Sequence, residues 1–188
     1  MAACAPQLKM GSSAPETGQA RAATTPAEAT QHPRFRPFSD GNYWVMLDPL
    51  PYHIDSTGQH GVVPAGLVTN FASIPSVAQC IYKPYGNHGR PAVVHDYLYW
   101  TQPGTRLEAD AAFYELMKKY GVHPVKRNIM YTVTRWFAAR NWTRSTEQRR
   151  RGMRWVIPEE EIEHIPGNIS WFDYREEMLR KNPAKKAE

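Results

Sequence analysis

The stretch "PAVVHDYLYW", from Pro91 to Trp100, places two polar residues in the middle of an apolar and aromatic segment. A proline suits the first turn of a helix, because its missing N–H would have no partner there. Gln102-Pro103-Gly104 then provides the signal that ends the helix. A core helix has no packing use for His95 or Asp96. The pair therefore indicates either polar partners inside the fold or a chemical role.

The next segment, "TRLEADAAFYELMKKYG", predicts a second helix. Thr105 can cap its start while Glu108 reaches back to the cap, which is a capping box, and Gly121 provides the stop. The connection to the preceding helix is short, so the two helices should be antiparallel neighbours. Asp110 falls on or beside the face that packs on the core. This geometry can place its carboxylate against the His95 ring.

The sequence before these helices predicts β-structure. "NYWVML" (Asn42–Leu47) is typical of a strand, and Gly61–Pro75 predicts two short strands around Pro64-Ala65-Gly66. Pro49 and Pro51 indicate turns. A third helix is predicted from Pro124, and its apolar stripe comprises Ile129, Val133, Trp136 and Phe137. The fold class predicted is α+β, with a small antiparallel sheet followed by a helical core of about three helices.

Composition divides the chain into three parts. Residues 1–34 contain no aromatic residue, no Val and no Ile, and such a segment buries too little apolar surface to offset its ordering entropy. We expect a flexible N-terminal arm there. Residues 35–157 should form a single domain, and residues 158–188 a C-terminal extension that ends in a solvated tail.

Several classes of protein are disfavoured by composition. The chain has 188 residues, of which 41% are hydrophobic and 22% charged, as is usual for a soluble domain. No apolar run approaches the ~20 residues of a membrane helix, and the N-terminus lacks the organisation of a secretory signal. The two cysteines, Cys4 and Cys80, form neither a disulfide framework nor a zinc set. We expect a reducing compartment, or a particle assembled in one.

The residues of the helix pair suggest a hydrolytic site. A carboxylate beside an imidazole fixes its tautomer and stabilises the imidazolium that forms when the ring takes a proton. Asp110 and His95 would be such a pair, and Tyr99 shares the helix face of His95. Asp96 can then hold a hard cation such as Ca²⁺, which would polarise an ester attacked by a His-activated water. The alternative is that the polar pair only satisfies hydrogen bonds.

These residues resemble a known arrangement. "HDYLY", followed by "AD" and a Phe three positions on, resembles the H-D-x-x-Y … A-D-x-x-F pattern of phospholipase A2 folds, especially the disulfide-free viral kind. The resemblance implies that His95 and Asp110 form the catalytic pair and that Asp96 binds calcium. It also implies that Tyr99, with Tyr114 as a second candidate, supports the Asp of the dyad.

A second resemblance covers more of the chain. "VPAGLVTNFASIP", "HDYLY" and "TRLEADAAFYELMKKYGV" appear in the order typical of a phage and prophage family, domain of unknown function 1353, from about Gly61 to Trp142. The resemblance implies a phage protein located in the virion or the host cytoplasm. Asn70 stands where that family usually has Asp. As a metal ligand it keeps an oxygen but loses the charge, so the site is either active or degenerate.

A basic segment follows the helix pair. Lys126–Arg154 contains nine Lys or Arg residues and one acid, Glu147. Interleaved aromatic residues would suit phosphate contacts and base stacking, but the arginines fall on several helix faces and would equally serve an acidic protein or anionic lipid. The candidate binding residues are Arg127, Arg135, Arg140 and Arg144.

Three functions follow from these patterns. The first is a virion-associated hydrolase that cleaves lipids or esters with a His/Asp dyad and calcium, and its partner would be membrane phospholipid. The second is a non-catalytic tail, neck or capsid accessory protein whose arm binds other virion proteins or a second copy of the chain. Nucleic-acid binding through Lys126–Arg154 ranks third.

Overall fold

The computed structural model describes residues 33–71 and 86–181. The predicted arm therefore lies outside the described residues, apart from Pro33 and Arg34. Cys80 also lies outside them, as does the end of the segment Gly61–Pro75, for which the sequence predicts two short strands.

Two small antiparallel sheets precede the helices. Their five short strands are β1 (Phe35–Pro37), β2 (Trp44–Met46), β3 (Leu50–His53), β4 (His60–Val63) and β5 (Val68–Thr69). One sheet has the order β1-β2-β5, and the other is the β3-β4 hairpin. The prediction of a turn at Pro51 is wrong, because this residue lies in β3 opposite Val62. An edge strand tolerates proline, because the proline nitrogen, which has no hydrogen to donate, can face away from the ladder.

Five helices follow: α1 (Gly89–Thr101), α2 (Arg106–Lys119), α3 (Pro124–Arg150), α4 (Glu159–Ile162) and α5 (Trp171–Lys181). The predicted α+β class is confirmed. So is the capping box, in which Thr105 accepts from the Glu108 amide and Glu108 accepts from the Thr105 amide. Within the described ranges, no helix combines the length and the apolar character that a bilayer crossing requires.

Helices α1 and α2 are antiparallel neighbours, as the sequence predicts. Tyr99 contacts Asp110 near the start of α2, and His95, one turn earlier on α1, packs against Phe113 with ring centroids 4.8 Å apart. Both helices contribute to a hydrophobic core together with Met46 of β2 and Met130 of α3.

The buried face of α3 differs from its predicted apolar stripe. Met130, Thr134 and Ala138 are buried, whereas Trp136 is 76% exposed and Phe137 43%. The periodicity identified the helix correctly but pointed to the wrong face. The side chains of α1 and α2 cover the other side of α3.

A second hydrophobic cluster involves the C-terminal region. Trp171 of α5 has no exposed surface and packs with Phe38, Val45 and Ile157. Helix α5 belongs to the segment that the sequence analysis assigned to an extension. Its buried residues Trp171, Tyr174 and Met178 follow helical spacing, so a signal for this packing is present in the sequence.

Gly66 connects the two clusters through its backbone. Its N–H donates to Met46 at 2.7 Å and its carbonyl accepts from Ile157 at 2.9 Å. The residue has a positive φ of 83°, and a Cβ added there would overlap the Ile157 carbonyl oxygen. Glycine is therefore required both for the left-handed backbone and for the close approach.

We expect Gly66→Ala to lower the free energy of unfolding by about 3 kcal/mol or more. About 1–2 kcal/mol comes from the left-handed backbone, and about 1–3 kcal/mol from the displaced hydrogen bond. Gly58→Ala is the matched control, because Gly58 has a φ of 68° but open space around its Cβ. Urea unfolding of both variants measures the difference, and equal losses would contradict this role of Gly66.

Candidate active site

The centre of the candidate site is the carboxylate of Asp110, which has no exposed surface. Its Oδ1 accepts from the Tyr99 hydroxyl at 2.5 Å and lies 3.1 Å from His95 Nε2. Its Oδ2 lies 3.2 Å from Arg106 Nη1 and 3.6 Å from Arg135 Nη1. The contacts come from α1, α2 and α3, so one buried charge joins the three helices.

These contacts determine the charge of the site. Burial alone would raise the pKa of Asp110, but the hydrogen bonds from His95 and Tyr99, with the charge of Arg106, outweigh it and hold the pKa below its usual value. Burial and the hydrogen bond to Asp110 raise the pKa of Tyr99 well above its usual range. Asp110 is therefore a carboxylate, and Tyr99 remains a protonated donor.

The carboxylate also fixes the tautomer of His95. An ionised carboxylate can only accept hydrogen bonds, so Nε2 carries the ring proton and Nδ1 is the acceptor of the neutral imidazole. Nδ1 is buried and has no hydrogen-bond partner among the described residues. An unpaired buried polar atom costs about 1–3 kcal/mol. A water molecule or a ligand atom would remove this cost.

A cleft with a cavity volume of about 100 Å³ is lined by His95 and Tyr99. Asp96 and Asn70 line the same cleft, as does Thr134. The Thr134 hydroxyl is also buried and, within the described part of the chain, has no hydrogen-bond partner. Two unsatisfied polar atoms thus belong to side chains of one cleft.

Asp96 is oriented by the end of β5. Its Oδ2 accepts from the Thr69 hydroxyl at 2.6 Å, and that hydroxyl oxygen accepts from the Phe71 amide at 2.9 Å. Phe71 has a positive φ of 55°, and the backbone thus turns sharply beside Asn70. The side chain of Asn70 hydrogen-bonds to Tyr43. The two predicted metal ligands therefore lie in the cleft and are held by protein contacts.

Calcium needs six to eight oxygen ligands, several of them carboxylates. Asp96 and Asn70 supply one carboxylate and one amide. In residues 33–71 and 86–181, no group of three or more His, Cys, Asp or Glu side chains is arranged to hold a metal. The side-chain donors around Asp96 in these ranges therefore do not by themselves complete the oxygen shell that calcium needs.

The four candidate binding arginines do not share a surface. Arg127 lies over the Tyr114 ring, 4.9 Å from its centroid, and Arg135 points toward Asp110. Arg140 is exposed, and Arg144 lines the cleft.

The residues that contact the Asp110 carboxylate differ in part from those predicted. Tyr114 does not contact Asp110, because its hydroxyl donates to Asn128 at 2.9 Å. Arg106 and Arg135 take that role, and the sequence analysis did not assign it to either. Arg106 could have been found, since it precedes Asp110 by four residues and so shares its helix face. Thr69 and Thr134 gave no recognisable signal.

Comparison with known families identifies one match. Residues 44–134 match the model of the family described as "Protein of unknown function (DUF1353)". The resemblance to this family is confirmed for residues 44–134, whereas the sequence predicted it from about Gly61 to Trp142. The matched segment contains His95, Tyr99, Asp110 and Asp96. It excludes Arg144. No curated protein and no solved structure matches the chain.

Asp110→Asn should destabilise the protein by about 2 kcal/mol or more at neutral pH, because hydrogen bonds to a charged group are lost. The folded pKa of Asp110 is lowered, so its stabilisation is complete above the unfolded-state pKa of about 3.9 and disappears as pH falls through the folded pKa. The difference between wild type and variant should therefore shrink below about pH 4.

Urea unfolding at a series of pH values measures this difference. Glu163→Gln is the control, since Glu163 is exposed and its change should have little effect at any pH. A difference for Asp110→Asn that stays constant down to acid pH would contradict the proposed charge state.

Proposed function

We propose that the protein is a hydrolase that cleaves an ester with water activated by His95. The proposal rests on the hydrogen bonding of the two ring nitrogens of His95. Its Nε2 lies 3.1 Å from a buried carboxylate, while its Nδ1 has no hydrogen-bond partner in the described ranges, and the ring lines a cleft. This arrangement is that of a general base held by an orienting acid.

In the proposed reaction, a water molecule in the cleft donates a hydrogen bond to His95 Nδ1. As its oxygen attacks the ester carbonyl, the proton passes to Nδ1 and the imidazolium is stabilised by Asp110. The tetrahedral intermediate then collapses with cleavage of the ester C–O bond. The leaving alkoxide takes the proton from Nδ1, which regenerates the neutral ring and leaves a carboxylic acid and an alcohol.

The walls of the cleft support an ester with an apolar acyl part. Leu67, Trp100 and Phe137 line it together with His95, and such walls favour hydrocarbon over polar substrate groups. A lipid or a related amphiphilic ester is therefore the proposed substrate class. We further propose a phage protein associated with the virion, because its motifs resemble those of a phage and prophage family; the matched family's own description assigns no function.

His95→Gln should lower hydrolysis of phospholipid vesicles by about 10²–10⁴-fold, the usual contribution of a general base. The amide can still donate to Asp110, so circular dichroism and urea unfolding should show a folded protein. His123→Gln is the matched control, because His123 is exposed at the start of α3 and makes no side-chain capping bond. Full activity of His95→Gln would remove His95 from the mechanism.

The same assay in the presence and absence of a calcium chelator distinguishes hydrolysis that needs only the dyad from hydrolysis that also needs the predicted calcium ion. Loss of activity on chelation that calcium restores, together with loss in Asp96→Asn, would support calcium at Asp96. Activity unchanged by the chelator would remove calcium from the reaction and leave the dyad intact.

The second candidate function is a non-catalytic assembly component of a virion. One observation favours it: on α3, Val125, Ile129 and Trp136 are exposed large hydrophobic residues at helical spacing. Such a stripe on a surface is typical of a protein interface. A wild-type chain that hydrolyses no ester, but that associates with virion proteins or with itself through this stripe, would favour this candidate.

Nucleic-acid binding has less support. Three aromatic residues in or next to the basic segment pack within the protein: Tyr131 against Tyr114, Trp142 against Tyr99, and Trp155 against Trp171. The two exposed aromatic residues of the segment are Trp136, at 76%, and Phe137, at 43%. Base stacking needs several accessible rings along a basic groove.

A further inference from the structure

One face of α3 forms a wall of the cleft, and its character changes along the helix. The lining residues of its first half are Val133, Thr134 and Phe137. Those of its second half are all polar: Asn141, Arg144, Ser145 and Gln148. They recur at intervals of three and four residues, so they share one side of the helix. The α3 wall of the cleft thus has an apolar end and a polar end.

Arg144 brings a positive charge to the polar end. Among the described residues it forms no ion pair with an acid, and the nearby Glu147 is engaged by Arg151 at 2.7 Å. Arg144 is solvent-exposed and lines the cleft, so its guanidinium donors are available to a ligand bound there.

Arg175 of α5 adds a second positive charge to this region. It is only 8% exposed and lies over the rings of Phe172, Trp155 and Trp171, with its Cζ 5.1–5.8 Å from the three centroids. Its Nη1 is buried and, in the described part of the chain, has no hydrogen-bond partner. Trp155 also lines the cleft.

The two arginines act on each other and on Tyr43. Burial lowers the pKa of Arg175, and the charge of Arg144 lowers it further, while Tyr43 and Glu176 oppose that effect. Burial raises the pKa of Tyr43, and the charge of Asp40 raises it further. The charges of the two arginines and the hydrogen bond from Asn70 oppose this rise. Tyr43 lines the cleft, so both arginines lie near its wall. A bound anion would relieve the repulsion between the arginines.

We propose that the polar end of the cleft is a binding site for the phosphate group of a phosphoester, with Arg144 as its main ligand. A guanidinium pairs with phosphate oxygens through two parallel hydrogen bonds, and Asn141 and Ser145 supply further polar groups on the same face. Arg175 acts from behind the aromatic rings through its charge.

This inference deepens the proposed hydrolase function, because it assigns a substrate class to the same cleft. Arg135 contacts Asp110 and therefore lies beside the dyad. Arg144 follows nine residues later on α3, about 13 Å further along the helix axis. The scissile ester would lie at the apolar end and the phosphate toward the other. A phosphate-bearing amphiphile matches both ends of the cleft.

Binding tests the site without requiring catalysis. Inorganic phosphate, a short-chain soluble phospholipid and vesicles of anionic phospholipid are each titrated into the full chain by calorimetry. We expect Arg144→Gln to weaken binding by about 10–100-fold, as for the loss of charged hydrogen bonds. Arg150→Gln is the matched control, since it removes the same charge from an exposed position near the end of α3.

The three ligands distinguish the sources of the phosphate. Binding of the vesicles together with the short-chain phospholipid supports a lipid headgroup, whereas binding of inorganic phosphate alone supports a small soluble phosphoester. Equal affinities of wild type, Arg144→Gln and Arg150→Gln for every ligand would overturn the site.

Kinetics separate this inference from the proposed hydrolase. For two esters with the same acyl chain, Arg144→Gln should raise KM at least tenfold for the phosphate-bearing ester and leave the neutral ester unchanged. Phosphate binding through Arg144 without any hydrolysis would support the site and reject the hydrolase. Hydrolysis of both esters with no change in Arg144→Gln would support the hydrolase and reject the site.

Discussion

The structure depends on one buried charge, the carboxylate of Asp110. Removing a carboxylate from water is costly unless its oxygens are fully engaged, and here Tyr99, His95, Arg106 and Arg135 surround it from three helices. The same contacts therefore hold α1, α2 and α3 together and fix the ring of His95. Because stability and chemistry depend on the same atoms, the presence of the network alone does not distinguish a catalyst from a scaffold. That distinction comes from the atoms that the network leaves unsatisfied.

Those atoms belong to residues that line the cleft. His95 Nδ1 and the Thr134 hydroxyl are buried and have no hydrogen-bond partner in the described ranges, although natural proteins satisfy most buried polar groups. A purely structural role for His95 would be served by Nε2 alone. The α3 wall of the cleft beside it has apolar side chains toward the start of the helix and Arg144 further along, as the proposed site for an amphiphilic anion requires.

Local patterns in the sequence predicted the parts of the fold that local interactions determine. The capping box at Thr105, the short connection between α1 and α2 and the spacing of His95, Tyr99 and Asp110 are all encoded within about 20 residues. The exposed face of α3 could not be predicted in this way, because periodicity marks an apolar stripe but not what covers it. The contact of Thr69 with Asp96 joins residues 27 positions apart, and only the folded chain brings them together.

The tautomer of His95 tests the central claim most directly. Nitrogen-15 NMR of the imidazole in the full chain, assigned by comparison with His95→Gln, reports which ring nitrogen carries the proton in the neutral state. The account predicts a proton on Nε2, hydrogen-bonded to Asp110, and an unprotonated Nδ1 whose shift responds to ligands in the cleft. A neutral ring protonated on Nδ1 would contradict it, because that nitrogen could then not accept a proton from water.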